Sequence, residues 1–193
     1  LVVLAGRDAR LRVLGIGTYG QVLGIGKTDS VLKVSRYGRM AHLLDEVAIL
    51  QVLSKERRDD EVGRSNVISL GQFGMVPAKL CGVEMPGAAL SPRGVSAVGF
   101  DFQKRPKLIG EVARGLWDGL AFLHSRGVAH NDFSYRNFVI VDGRAVIIDL
   151  SCARPINTVM NDFVGTPDFA HIDVHKNSCL LLARSAQDIA CLV

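Results

Sequence analysis

Two apolar runs, Phe138-Val139-Ile140-Val141 and Ala145-Val146-Ile147-Ile148, flank the polar break Asp142-Gly143-Arg144. Short apolar runs rich in β-branched side chains read as strands, and Asp-Gly provides the positive-φ residues of a tight hairpin turn. Asn137 precedes the first strand and Asp149 follows the second, so the hairpin brings these two polar residues together at one end. The plain alternative is an ordinary hairpin with polar ends.

Upstream, GIGTYGQVLGIGKTDSVLK (Gly15 to Lys33) carries two phosphate-binding patterns. Gly15-x-Gly17-x-x-Gly20 fits the dinucleotide fingerprint, which must follow a strand and open a helix. Leu11-Arg12-Val13-Leu14 reads as a strand, but Gln21-Val22-Leu23-Gly24-Ile25 is extended, and Ser30-Val31-Leu32-Lys33-Val34 is β-like again. Thr28-Asp29-Ser30 supplies the turn between them. The stretch is therefore strand–loop–strand–turn–strand. A Walker A loop ending at Gly26-Lys27-Thr28 needs its first glycine at position 21, which is Gln21, and no helix follows Thr28 to receive a phosphate. There Gly24 and Gly26 ease a twisted hairpin.

Two helices read from periodicity. From about Met40 to Leu53, Leu43, Val47 and Leu50 share one face, flanked by Leu44 and Ile49. Leu108, Val112, Leu116, Leu120 and Leu123 recur at helical spacing in a long core helix ending near Gly127.

At 193 residues with 48% hydrophobic and 22% charged side chains, the chain buries a core as one domain or two small lobes. The net charge of +4 is modest, and Lys55 to Glu61 mixes both signs as a solvated loop does, which argues against a nucleic-acid partner. No apolar run reaches membrane-spanning length, and the N-terminal LVVLAG is too short for a secretory leader. Cys81, Cys152, Cys179 and Cys191 lack CxxC spacing and read as reduced thiols of an intracellular, cytoplasmic protein. His171, His175 and Cys179 lie four apart and could line a helix as zinc ligands, but no fourth ligand is evident.

Read in order, these features resemble the eukaryotic protein kinases along nearly the whole chain. Gly15-x-Gly17-x-x-Gly20-x-Val22 resembles their glycine-rich loop, whose small residues let backbone N–H groups approach phosphates. Lys33 matches the strand lysine, implying contact with the α- and β-phosphates. Glu46 in LLDEVAIL matches its helix partner. HNDFSYRN (His130 to Asn137) and VIIDLS (Val146 to Ser151) resemble the catalytic loop and the metal-binding segment. The resemblance implies that Asp132 orients the substrate hydroxyl and accepts its proton, and that Asn137 and Asp149 hold Mg²⁺. Leu80 to Leu90 resembles a fifth strand running into a hinge. Val83 would then guard the back pocket, Glu84 and Met85 would offer backbone groups to adenine, and Val31 would lie above it. Gly165 to Asp173 resembles the end of an activation segment, with Thr166 beside the catalytic Asp. Ser185 to Ile189 resembles the start of a central helix whose Asp188 anchors the catalytic loop.

The resemblance implies an α+β, two-lobed protein-kinase-like fold. A small antiparallel β-sheet lobe with one helix takes residues 1–84, a hinge 85–91, and a mainly helical lobe, incomplete at its C-terminus, 92–193. It implies transfer of the γ-phosphate of Mg·ATP to a protein hydroxyl of the Ser/Thr kind, and leaves oligomeric state open. Several positions depart from the family. Asn131 replaces an arginine that meets an activation-segment phosphate, which predicts activity independent of such phosphorylation. Ser134 replaces a lysine, whereas Arg136 stands where many tyrosine kinases carry a catalytic arginine. Leu150-Ser151 replaces Phe-Gly, and serine lacks glycine's freedom at positive φ. A pseudokinase or nucleotide-binding module, and a small-molecule kinase of the aminoglycoside or choline type, are the alternatives.

Overall fold

A computed structural model of the chain describes residues 2–4, 7–9, 11–55, 65–80, 83–160, 165–166, 181–182 and 188. The fold is mixed α+β and divides into two units, one of Leu1–Glu56 with Ile68–Arg93, the other of Arg57–Val67 with Gly94–Val193. Among the described residues, no helix is long and apolar enough to cross a membrane.

The first unit opens with a ribbon of β1 (Val2–Leu4) and β2 (Arg7–Ala9). Its main sheet holds β3 (Leu11–Ile16), β4 (Gly20–Ile25), β5 (Val31–Ser35), β6 (Ser69–Leu80) and β7 (Val83–Ser91). Their order is β3-β4-β5-β7-β6, every pair antiparallel. Strand alternation sends Leu32 and Val34 to one face, where they pack with Leu23 and Ala78. Val31 and Lys33 go to the other face. There Lys33 lies opposite Val22 and Ala88, and Val31 opposite Gly24 and Leu90. Helix α1 (Met40–Lys55) buries Leu43, Val47, Leu50 and Leu53 at the spacing its periodicity predicts, and packs on β5, β6 and β7.

The expected hinge over residues 85–91 is strand instead. Gly87 there marks a close approach, since a β-carbon on it would sit 2.9 Å from Leu32 Cδ1. Val83 lies 57% exposed at the far end of β7, opposite Leu80. At about 3.3 Å per residue it stands roughly 17 Å along the strand from Ala88, the partner of Lys33. Val83, Glu84 and Met85 therefore do not assemble with Lys33, and the unit boundary falls between Arg93 and Gly94.

In the second unit, β8 (Val95–Ser96), β10 (Phe138–Val141) and β11 (Arg144–Ile147) form a sheet in the order β11-β10-β8. Between β8 and β10 come α2 (Leu108–Ser125) and β9 (Val128–Ala129), and β9 pairs with β12 (Arg154–Pro155). A further pair joins β13 (Val159–Met160) to β14 (Leu181–Leu182). The β10–β11 hairpin turns through Asp142 at φ 48° and Gly143 at φ 83°, as Asp-Gly predicts. Helix α2 lies on β11 through Val112, Leu116, Leu120 and Leu123. It closes on Gly127, whose positive φ of 67° caps the helix. A mainly helical lobe is not what the described residues show, because α2 is their one α-helix longer than a turn in this unit. His171, His175, Cys179 and the residues Ser185 to Gln187 lie outside the described residues.

Gly20 and Gly17 separate packing from openness. A β-carbon on Gly20 would stand 2.2 Å from the Val34 carbonyl oxygen, whereas one on Gly17 would meet nothing closer than 3.9 Å. We expect Gly20→Ala to cost about 1–3 kcal/mol, as forced overpacking does. Gly17→Ala should stay within about 0.5 kcal/mol of wild type. Urea unfolding of both variants measures the difference.

Candidate functional site

In the first unit the chemistry centres on an ion pair. Lys33 Nζ lies 2.6 Å from Glu46 Oε2, with the side chains 12% and 1% exposed. Burial of a carboxylate is costly unless it is paired and hydrogen-bonded. The pair forms because β5 alternation turns Lys33 toward α1, while the helical period puts Glu46 on the buried stripe with Leu43, Val47 and Leu50.

Beside it on the same face are Val22, half-buried, and Val31, 6% exposed. The glycine loop caps the β3–β4 hairpin. Gly15 lies in β3 opposite Val22, and the tip turns at Gly17, whose N–H donates to the Gly20 carbonyl at 2.8 Å. Both Gly15 and Gly17 are exposed with free space where a side chain would stand, so no group among the described residues requires glycine there.

The lookalike Gly24-Ile25-Gly26-Lys27-Thr28 has a different employer. Arg93 lies against Gly24, with Nη1 3.0 Å from where a β-carbon would be, and donates to the Gly26 carbonyl at 3.2 Å. The Arg93 amide donates to the carbonyl of Asp29 at 2.9 Å. These residues clasp the β4–β5 turn to the end of the sheet, as sequence reasoning did not foresee.

In the second unit, Asp132 is held from two sides. Its Oδ1 accepts the Thr166 amide and hydroxyl, both at 2.7 Å, and its Oδ2 accepts Asn137 Nδ2 at 2.9 Å. Asn137 Nδ2 also donates to the Asp132 carbonyl at 2.6 Å. Its donor side thus committed, the amide oxygen is the end left for an acceptor role. The Ile148 amide donates to the Asn137 carbonyl at 2.9 Å, so the hairpin does bring Asn137 and Asp149 to one end.

Beneath them sits Asp188, 1% exposed. It accepts the His130 amide at 2.7 Å, the Asn131 amide at 2.8 Å and His124 Nε2 at 2.9 Å. His130, fully buried, has Nδ1 accepting the Asp132 amide, which leaves Nε2–H to donate to the Ile148 carbonyl at 3.1 Å. One imidazole thereby ties the loop bearing Asp132 to the strand leading into Asp149. His124 was missed by sequence reasoning; its signal was a histidine closing the last turn of an apolar-striped helix.

The departures find local explanations. Asn131 adopts φ 62°, a conformation asparagine tolerates, and its Nδ2 donates to the Cys152 carbonyl at 3.1 Å. Ser151 does not need glycine's freedom, because the left-handed residue is Asp149 itself, at φ 62° and ψ 70°. Ser134 is buried and accepts the Arg136 amide at 3.3 Å. Arg136 is exposed, stacked on Tyr135.

Two measurements follow. Lys33→Met removes the ammonium 2.6 Å from buried Glu46, at a cost of about 3–5 kcal/mol. That lowers Tm by roughly 6–20 °C in a chain of this size, read by calorimetry. Cys152 is a free thiol, pushed up from 9.0 to about 12 by burial first and by the charge of Asp132 next. A raised folded-state value favours the native state fully below about 9 and loses that contribution as pH climbs toward 12. At pH 8, alkylation of the peptide bearing Cys152, followed by mass spectrometry, should be slow in native protein and rapid in urea.

No protein-family model matches the chain. It is 28% identical over 178 residues to mitogen-activated protein kinase kinase kinase 17 of Arabidopsis thaliana, a match covering 82% of this chain and 45% of that protein. Over 79 residues it is 29% identical to the probable serine/threonine-protein kinases irlC and irlD of Dictyostelium discoideum, covering 41% of this chain and 6% and 5% of those proteins. The chain thus spans less than half the length of these curated relatives. What the comparisons establish is a distant, partial similarity to serine/threonine-kinase-like proteins.

Proposed function

We propose that the chain is a divergent two-lobed kinase domain that transfers the γ-phosphate of Mg·ATP to a protein hydroxyl of the Ser/Thr kind. The observation that carries this reading is the buried Lys33–Glu46 pair. An ammonium held at 2.6 Å from a buried carboxylate is oriented as few surface lysines are, and it shares a sheet face with apolar Val22 and Val31. That face offers a cation for phosphates and a smooth surface for a base. The open positions at Gly15 and Gly17 support the same role, since they leave backbone exposed to an incoming phosphate. Base-edge contacts then fall to Leu90, the partner of Val31, and to Ser91–Arg93 just after it, and not to Val83, Glu84 or Met85.

The donor set in the second unit fits a magnesium ion. Mg²⁺ takes hard oxygen ligands and commonly uses one or two from protein, with phosphate and water completing its shell. The Asn137 amide oxygen and the Asp149 carboxylate supply that number. The bound ion would neutralise phosphate charge. Asp132, fixed by Thr166 and Asn137, orients the acceptor hydroxyl and takes its proton, while Thr166 at that carboxylate supports a Ser/Thr acceptor. Arg136, exposed on the same loop, would meet phosphate or substrate charge in this reading.

One observation favours a second reading, a nucleotide-binding module without transfer. Position 134 carries a buried, uncharged serine and so brings no cation toward a transferring phosphate.

The deciding experiment incubates the protein with labelled ATP and Mg²⁺ against Ser, Thr and Tyr peptides and small alcohols. We expect Mg·ATP to raise Tm and label to appear on Ser or Thr peptides. Asp132→Asn should reduce transfer about 10²–10⁴-fold, the span of a general base, with Mg·ATP binding retained. Asp149→Asn should weaken the Mg²⁺-dependent part of binding. Binding without transfer to any acceptor supports the module, label on small alcohols alone supports a small-molecule kinase, and absence of binding overturns all three.

A further inference from the structure

The ring of Tyr19, at the tip of the glycine loop, stacks on His42 of α1 with centroids 4.0 Å apart and planes at 31°. We infer that Tyr19 and His42 form a latch that holds the loop tip against α1, making both positioning residues for the phosphate end of the site. This role rests on the nucleotide reading above.

The loop tip is short, and its backbone is already half fixed. Gly17 N–H donates to the Gly20 carbonyl at 2.8 Å, and Arg36 N–H donates to the Tyr19 carbonyl at 2.8 Å. Those bonds set the base of the turn. They leave Gly17 and Thr18 exposed, and the aromatic contact ties the tip to α1.

His42 is well placed to transmit position. It precedes Glu46 by four residues, one helical turn, and therefore shares its side of α1. A shift or rotation of α1 that moves Glu46 from Lys33 moves His42 with it, because a hydrogen-bonded helix travels as a rigid piece. The loop tip and the ion pair thus report one helix position through two independent contacts, an aromatic stack and a 2.6 Å salt bridge.

The identity of residue 42 adds a second clue. His42 Nδ1 is buried with no hydrogen-bond partner among the described residues, so that nitrogen does not account for a histidine there. The face of the ring is in use, and the nitrogen is not. Phenylalanine could keep the stack without the orphaned atom. Leucine would keep the bulk and lose the stack.

The test compares wild type with Tyr19→Leu, His42→Leu, the double variant and His42→Phe, all checked for wild-type circular dichroism. Amide hydrogen exchange over residues 15–20 is measured without ligand, and Mg·ATP affinity by calorimetric titration. Aromatic pairs of this kind correspond to roughly three- to tenfold in an equilibrium. Each leucine variant should speed exchange and weaken Mg·ATP binding by about that factor, the double variant no more than either single, and His42→Phe should match wild type. Multiplicative losses in the double variant, or unchanged exchange in both singles, overturn the latch. A wild type that binds Mg·ATP while the leucine variants bind equally well overturns the positioning role alone. A wild type that binds no Mg·ATP overturns that role together with the nucleotide reading, and the exchange comparison still decides whether the loop is latched.

Discussion

A carboxylate taken out of water must be met by donors, and that requirement organises each unit of this chain. Glu46 is fully buried in the first unit and Asp188 is 1% exposed in the second. Glu46 is met by Lys33 from a neighbouring strand, so helix α1 cannot slide or rotate on the sheet without losing its charge partner. Asp188 is met by two backbone amides and an imidazole, from the loop at His130–Asn131 and the end of α2. In both cases the charge is costly by itself and informative in company, because its donors come from separate elements.

The consequence for chemistry differs between the two. Glu46 acts on a side chain and orients an ammonium. Asp188 acts on backbone and orients a whole loop, from which Asp132 projects. The loop is then fixed a second time by His130, which accepts the Asp132 amide and donates to the Ile148 carbonyl. Asp132 is fixed a third time by Thr166 and Asn137 at its own oxygens. Such redundancy is what a site needs if its reacting groups are to stay within a fraction of an ångström of working geometry.

Legibility in the sequence followed the range of the interaction. The hairpin at Asp142-Gly143 and the helix at Met40 were readable because turn chemistry and periodicity are local. The meeting of Asn137 and Asp149 was readable for the same reason, as a corollary of the hairpin. Partnerships across the chain were readable only where a familiar order of motifs named both members, as with Lys33 and Glu46. The same order of motifs misled at the hinge. It set a hinge over residues 85–91, yet β7 continues through them, with Gly87 admitting Leu32. His42 and Arg93 carry no local signal, since each acts on a partner more than twenty positions away in sequence, and His124 shows only as a histidine closing the last turn of an apolar-striped helix.

The glycines between Gly15 and Gly26 make the same point at finer grain. In one dimension they form overlapping phosphate motifs; in three they answer to different masters. Gly20 is glycine because the Val34 carbonyl occupies the space of a side chain, and Gly24 because the Arg93 guanidinium does. Gly26 is glycine because its φ of 53° is left-handed in a tight turn. Of these five, Gly15 and Gly17 face open space among the described residues at ordinary φ, with Gly15 beside a register shift in the β3–β4 pair. Open space at a glycine leaves its backbone N–H accessible to an external group. The candidate phosphate loop thus narrows from five glycines to the two that the rest of the sheet does not need.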